Sequence, residues 1–183
     1  MADFDMNSDL LCQQNSNGLY TYPYKGAKGV SYHLGEIATE PVTVAEFEDH
    51  AKIDFSTDDN LIELYLTSAR QSIERILRKS LGVRQVIFYA EYVPKRFKLD
   101  WGNYASIDDP ATGFTLFAKD ILKEGGTDIE LTLTTENTAL NADIKNAILK
   151  QAFDFYEKRG VYTDGVIDSV VNILSPYRNV QFP

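Results

Sequence analysis

A chain of 183 residues with 44% apolar content can bury a real core as one domain, or as one domain with an appended module. Its net charge of −9 argues against a free nucleic-acid binder, because neutralisation of phosphate by Lys and Arg supplies most of such affinity. No apolar run approaches the length of a membrane span, and the acidic start MADFDMNSD is unlike a basic signal peptide, so residence in the cytosol where the chain is made is expected.

Residues 1–35 read as an N-terminal arm. QQNSNG followed by YTYPYKGAKG has no usable period and many turn formers, which suits a segment that is extended or partly disordered by itself. Tyr20, Tyr22, Tyr24 and Tyr32 are numerous for a free tail and favour packing on the chain or on a neighbour. The single cysteine, Cys12, can form no internal disulfide and reads as a surface thiol.

Residues 36–82 form the first part of a helical core. Thr43 and Glu46 make a capping box for a helix through about Ile53. Residues 55–59 (FSTDD) break the pattern, with Ser56 or Thr57 as the cap of a second helix and Asp58 and Asp59 complementing its dipole. Leu61, Tyr65, Ala69, Ile73 and Ile76 make one apolar stripe, and Ile62 and Leu66 widen it. Such width suits either a deeply buried helix or one packed between its own core and a second subunit. Arg75, Arg78 and Lys79 complement the C-terminal end of the dipole, and Arg70, Glu74 and Arg78 stand at i,i+4 spacings.

From Val83 the period becomes alternating, and residues 83–138 read as an inserted antiparallel β module. VIFYAEYV (86–93) and FKLDW (97–101) suggest a hairpin about the break at 93–96. Residues 102–113 read as a loop, and residues 114–136 give two or three further strands around Gly125-Gly126. In the last of these Ile129, Leu131 and Leu133 alternate with polar residues, the mark of a strand with one buried face. Residues 139–175 complete the helical core. A third helix runs from the cap Asn141 to Gly160, with apolar rows Ile148, Ala152, Phe155 and Leu149, Phe153, Tyr156, and a fourth runs from about Val166 to Leu174. Pro176 ends it, and residues 176–183 should be an extended tail. The expected fold class is α+β: a small bundle of about four helices, an inserted antiparallel β module and extended N- and C-terminal arms.

The charge is uneven. Residues 1–55 hold nine acids and three bases, and residues 100–140 eight and two, whereas residues 56–99 hold five acids and eight bases. The basic cluster Arg75, Arg78, Lys79 and Arg84 reads as a dipole-complementing helix end rather than a phosphate site. Chemistry-bearing constellations are thin. His33 and His50 stand at no metal-ligand spacing, Asp58-Asp59 reads as a helix cap and Asp108-Asp109 as a solvated loop. Gly125-Gly126 lacks the Lys-Ser/Thr of a phosphate loop, and no nucleophile elbow occurs. The sequence points to no catalytic residue, no cofactor site and no metal site.

Residues 41–81 follow a succession: P-V-T-x-x-E, a helix, I-D-F, a D-D pair, a long helix with A-R-x-x-I-E-R (Ala69 to Arg75) and a closing S-L. This resembles tailed-bacteriophage head-tail connector proteins. ADIKNAILKQAFDFYEKRG resembles the family's third helix, with Tyr156, Glu157 and Arg159 matching its Tyr-Glu-x-Arg signature, and ILSPYR resembles its closing L-x-x-Y-R. The two blocks cover about half the chain. The resemblance implies a non-enzymatic virion protein of the head-tail neck, assembled in the bacterial host cytoplasm. It implies a homo-oligomeric ring of about twelve copies below the portal protein, extending the DNA channel and offering a platform to the tail or further connectors. Duplex DNA would pass without specific binding, and no membrane is involved. Among the matched residues, Glu74, Arg75 and Arg78 are candidates for salt bridges across a subunit boundary, with intrahelical pairing as the alternative. Tyr177, Arg178, Asn179, Val180 and Phe182 are partner-binding candidates. The side chains of Tyr177 and Arg178 either fold back as a cap on the helices, which is favoured, or lead into a partner-binding tail. The residues beyond are expected to form that tail, for instance by adding a strand to a partner's sheet. Two other classes remain open: a regulatory nucleic-acid-binding module using Arg84 and Lys95-Arg96-Lys98, and a metal-dependent phosphohydrolase using Asp108.

Overall fold

The computed structural model describes residues 27–54, 57–110, 113–117, 121–122, 125–136, 140–159 and 165–178, together with the backbone of 13–14 and 20–21. The chain divides into two compact units, Met1–Ala38 with Val83–Asn137, and Thr39–Gly82 with Thr138–Pro183. One is built of strands and the other of helices, so the α+β expectation holds. Among the described residues no helix is long and apolar enough to cross a membrane.

The strand unit contains β1 (Gln13–Gln14), β2 (Tyr20–Thr21), β3 (Ser31–Leu34), β4 (Gln85–Val93), β5 (Phe97–Lys98), β6 (Tyr104–Asp109), β7 (Leu116–Phe117), β8 (Ile121–Leu122) and β9 (Gly126–Thr135). Six of these form one antiparallel sheet in the order β1-β2-β3-β4-β9-β6, and the rest a small sheet in the order β5-β8-β7. Cross-strand pairs Val86 with Leu133, Phe88 with Leu131 and Ala90 with Ile129 fill the inner face of the large sheet. The small sheet covers that face: Phe97 and Leu122 are buried in the same core, and the rings of Phe88 and Phe97 lie 5.7 Å apart. Tyr32, fully buried from β3, accepts a hydrogen bond from the Asp100 N–H at 3.0 Å, and the Tyr104 hydroxyl donates to the Asp100 carbonyl. The polar ends of both rings are thereby satisfied inside the core.

Three expectations are corrected here. The segment read as an arm supplies β3, which pairs with β4 from Ser31 opposite Tyr89 to Leu34 opposite Val86. The expected hairpin of residues 86–93 with 97–101 does not form. Both edges of β4 are occupied, by β3 and β9, and the chain turns through Arg96 in a left-handed conformation (φ 63°) to enter the small sheet instead. Residues 102–113 are not all loop, because β6 pairs along β9 with two register shifts that the polar sequence YASIDD conceals from an alternation reading. The β9 alternation itself holds, with Ile129, Leu131 and Leu133 buried.

The helical unit contains α1 (Val44–Ala51), α2 (Asp59–Leu77), α3 (Ala142–Glu157) and α4 (Asp168–Leu174), followed by a 3-10 turn at Ser175–Tyr177. The capping box forms as read: the Glu46 N–H donates to Thr43 Oγ1 at 3.2 Å, and the Thr43 N–H donates to the Glu46 carboxylate at 2.9 Å. Asn141 caps α3 through Asp143 N. Both α1 and α2 end on non-glycine residues in the left-handed region, Lys52 (φ 60°) and Arg78 (φ 50°). The buried row of α2 is Ile62, Leu66, Ala69, Ile73 and Leu77, while Leu61, Tyr65 and Ile76 of the expected stripe are only partly buried. Ala69 and Ile73 of the expected stripe are thus buried as read, while Ile62 and Leu66 take the places of Leu61 and Tyr65, because neighbouring rows one residue apart satisfy the same period and the packing partner decides between them. α2 begins after Asp58, not Ser56 or Thr57; Thr57 is not the cap, and Ser56 lies outside the described residues. Pro176 does not start an extended tail at once but sits inside the 3-10 turn, whose first turn needs no proline N–H. Cys12, Tyr22, Tyr24, Gly160, Asn179, Val180 and Phe182 lie outside the described residues.

Candidate functional site

The helical unit carries the motif residues, and three polar nodes set their positions. The first is buried. Arg70 on α2 reaches Glu40 through Nε at 2.8 Å and Nη2 at 3.0 Å, and Glu74 one turn along through Nη1 at 2.8 Å. Glu74 also accepts from the Leu81 N–H at 2.7 Å, and Glu40 accepts from Thr67 Oγ1 at 3.0 Å. Burial opposes the charge on Arg70, but hydrogen bonds and charges from Glu40 and Glu74 outweigh it and raise its pKa above the ordinary value. Glu74 is 2% exposed, so its carboxylate is engaged inside the unit. Arg75 projects into solvent and Arg78 is half-buried at the helix end. The three candidates for an inter-subunit bridge therefore occupy three different environments.

The second node joins the start of α2 to the end of α3. The Asp58 carboxylate makes no cap bond; it accepts from Tyr156 Oη at 2.9 Å and Arg159 Nη2 at 2.7 Å. Asp58 thus stands at the N-cap position as read, its backbone carbonyl accepting from Leu61 and Ile62, but its side chain does no capping, because the orphan N–H groups of α2 compete with two stronger donors presented from α3. The hydrogen bond from Tyr156 and then that from Arg159 hold the Asp58 carboxyl below its ordinary range. The Arg159 guanidinium also lies 3.9 Å from the Tyr156 ring centroid. Two of the three residues of the Tyr-Glu-x-Arg signature thus share one partner, and Glu157 is exposed.

The third node fixes the end of the described chain. Tyr177 Oη donates to Asp143 at 2.6 Å and accepts from Asn141 Nδ2 at 2.9 Å, so the residue after Pro176 is tied to the first turn of α3. Arg178 is exposed with extended backbone (φ −66°, ψ 128°). Gln151, fully buried on α3, accepts from the Ile167 N–H at 3.0 Å and so satisfies the start of α4. Sequence reading missed Gln151, Leu64 and the Asp58 partners. Leu64 is 58% exposed on the polar side of α2 beside Glu63, and its only sequence signal is an aliphatic residue outside the stripe.

The residues of the two rival readings are not brought together into sites. Arg84 is 7% exposed, its N–H donating to Thr135 Oγ1 at 2.9 Å, whereas Lys95, Arg96 and Lys98 are exposed on the turn into β5 and on β5 itself. Asp108 accepts from Ser106 Oγ and Thr134 Oγ1, both at 2.6 Å. Among the described residues no three His, Cys, Asp or Glu side chains converge as metal ligands.

The model of the phage gp6-like head-tail connector protein family matches residues 41–101. The resemblance first drawn from residues 41–81 is therefore found independently, and the match extends into β4 and β5. No curated protein matches the chain significantly. Among solved structures, a chain from the neck of an empty gene transfer agent (GTA) particle computed with C6 symmetry shares the fold at a TM-score of 0.64 and 20% identity, covering 82% of this chain and 97% of that one. A chain from the virion of a native GTA particle matches at 0.64 and 21% identity with the same coverage. A chain from the neck of a native GTA particle computed with C12 symmetry matches at 0.59 and 20% identity, again with that coverage.

Proposed function

We propose that this protein is a structural, non-enzymatic head-tail connector of a tailed-phage-like particle. It forms a ring of about a dozen copies below the portal, extends the DNA channel and carries the tail platform. The observation that carries the reading is the agreement of two independent likenesses: a connector family model over residues 41–101, and the fold of neck proteins over 82% of the chain. The three polar nodes support it chemically, since they stiffen a helical unit without assembling a reactive group.

In this ring Arg75 and Arg78 face a neighbouring subunit, while Glu74 acts through the buried Arg70 pair. Tyr177 anchors the exit of the tail, Arg178 starts its extended run, and Asn179, Val180 and Phe182 add a strand to a portal or tail partner. DNA passes without being held. At −9 per copy, a ring of about a dozen carries on the order of a hundred net negative charges, which repel the duplex where salt does not screen them. The neck of the virion is the site of action, reached after assembly in the host cytoplasm.

Electron microscopy of the chain mixed with portal-bearing heads tests the reading. Cyclic rings on the portal are expected; monomers or twofold dimers alone would refute it. Removal of residues 179–183 should spare folding and weaken binding to portal or tail, and unchanged affinity would remove the strand-addition role.

A further inference from the structure

The strand unit is a two-layer structure whose outer faces carry opposite charge. Because Phe88 and Leu131 point into its core, Tyr89 on β4 and Glu130 on β9 point outward, joined by Glu91 and Asp128. Neither Lys nor Arg occurs in β3, β4, β6 or β9, so the formal charges these four strands carry are carboxylates, with His33 opposite Ile87 in the outward row and Lys28 bridged to Tyr92 at the edge. Ile87 and Tyr89, both partly buried, give it an apolar middle, and Tyr89 is hydrogen-bonded to Glu130.

The small sheet has the complementary surface. Its inward residues are Phe97 and Leu122; Lys98 and Phe117 both stand opposite Ile121 and so share the outward row. Phe117 is 47% exposed, and the Arg96 guanidinium lies 6.0 Å from its ring centroid. Lys95 and Arg96 are exposed in the preceding turn, and residues 94–99 and the three strands contain no Asp or Glu. A half-exposed phenyl ring rimmed by cations is a surface built for contact rather than for solvent.

We propose that these two faces meet between neighbouring copies, the cationic face of one small sheet docking head to tail on the acidic face of the next large sheet. The inference rests on the ring reading above and specifies one contact that would build the ring. A heterologous contact needs two different, mutually complementary patches on each protomer, and a rotation that closes it yields a ring. The two sheets, packed face to face through Phe88 and Phe97, present their outer surfaces in opposite directions, as head-to-tail propagation requires. Lys95 and Arg96 meet Glu91, Asp128 and Glu130, which fixes orientation, and Phe117 seats on Tyr89 and Ile87. A second copy fits better than DNA because its face offers carboxylates and an apolar centre together.

Sedimentation velocity on the full-length chain tests this with two exposed double variants, K95E/R96E and E91K/E130K, their folding checked by circular dichroism. Wild type is expected to self-associate, with the association weakened by raising salt from about 50 to about 500 mM. Each variant alone should associate at least about tenfold more weakly, and an equimolar mixture should recover wild-type association, because each reversed face then finds its opposite. If both variants associate like wild type, the contact is overturned while the ring reading stands. A wild type that stays monomeric at about 100 µM also overturns the contact, and the portal experiment then decides the ring separately. If K95E/R96E leaves association intact but abolishes binding of a labelled duplex, the cationic face belongs to DNA and the proposal fails.

Discussion

Arg70 shows how one side chain can organise a helical unit. It is buried in the middle of α2 and holds two carboxylates, one of which receives the Leu81 N–H beyond the helix end. Removing one partner of such a pair leaves an uncompensated charge in the interior, so Arg70→Ala should lose about 3–5 kcal/mol of unfolding free energy, measured by denaturant titration. A loss below about 1 kcal/mol, the range of a surface pair, would show that Glu40 and Glu74 are hydrated in the folded chain. Asp58 is the pH-sensitive counterpart. Its folded pKa lies below the ordinary 3.8, so protonation favours the unfolded chain. Its contribution is fully present above that value and is lost as pH falls through the folded pKa. Asp58→Asn should therefore lower the melting temperature at pH 7 and flatten its decline under acid; parallel wild-type and variant curves from pH 7 to pH 2 would remove the role.

At the level of elements, α1 ends in a conformation its sequence does not favour. Lys52 occupies the left-handed region at φ 60°, where its N–H donates to the Glu48 carbonyl. A side chain there costs roughly 1–2 kcal/mol, and glycine avoids it at some entropic cost in the unfolded chain. Lys52→Gly should accordingly raise stability by up to about 1 kcal/mol, seen as a higher denaturant midpoint. A fall in midpoint would mean that the lysine side chain makes a contact stronger than the backbone relief. The starts of α1 and α3 were readable because a capping box and an Asn cap are local events within four residues. The end of α2 was less so, since Arg78 stands where a glycine signal would be expected.

For the whole molecule, the two units interleave in sequence: the chain enters the strand unit, leaves it for α1 and α2, returns for β4 to β9 and leaves again for α3 and α4. The strand unit is therefore not an insertion that could be excised at 83–138, because β3 precedes the first helices and pairs with β4. Deletion of residues 1–34 should expose the β4 edge and the core left by Tyr32, and abolish the cooperative unfolding of the sheet, followed by circular dichroism. A truncated chain with unchanged strand signal and midpoint would show that β3 is dispensable.

The four helices, the capping box of α1, the Asn141 cap of α3, the β9 alternation and the connector likeness were legible in the sequence, because period, capping chemistry and motif order depend on neighbours within a few residues. The Tyr156 and Arg159 signature was visible too, but its partner was not. Asp58 lies about a hundred positions away, and a carboxylate before a helix reads as a cap until a stronger donor is seen beside it. The same holds for the strand that Tyr32 anchors, for the turn that sends residues 97–98 into a second sheet, and for the choice between the two apolar rows of α2. Each depends on which surface packs against which. Periodicity states that a face is apolar or charged; only the assembled core decides which face is turned inward, and so which one is left outside to meet another molecule.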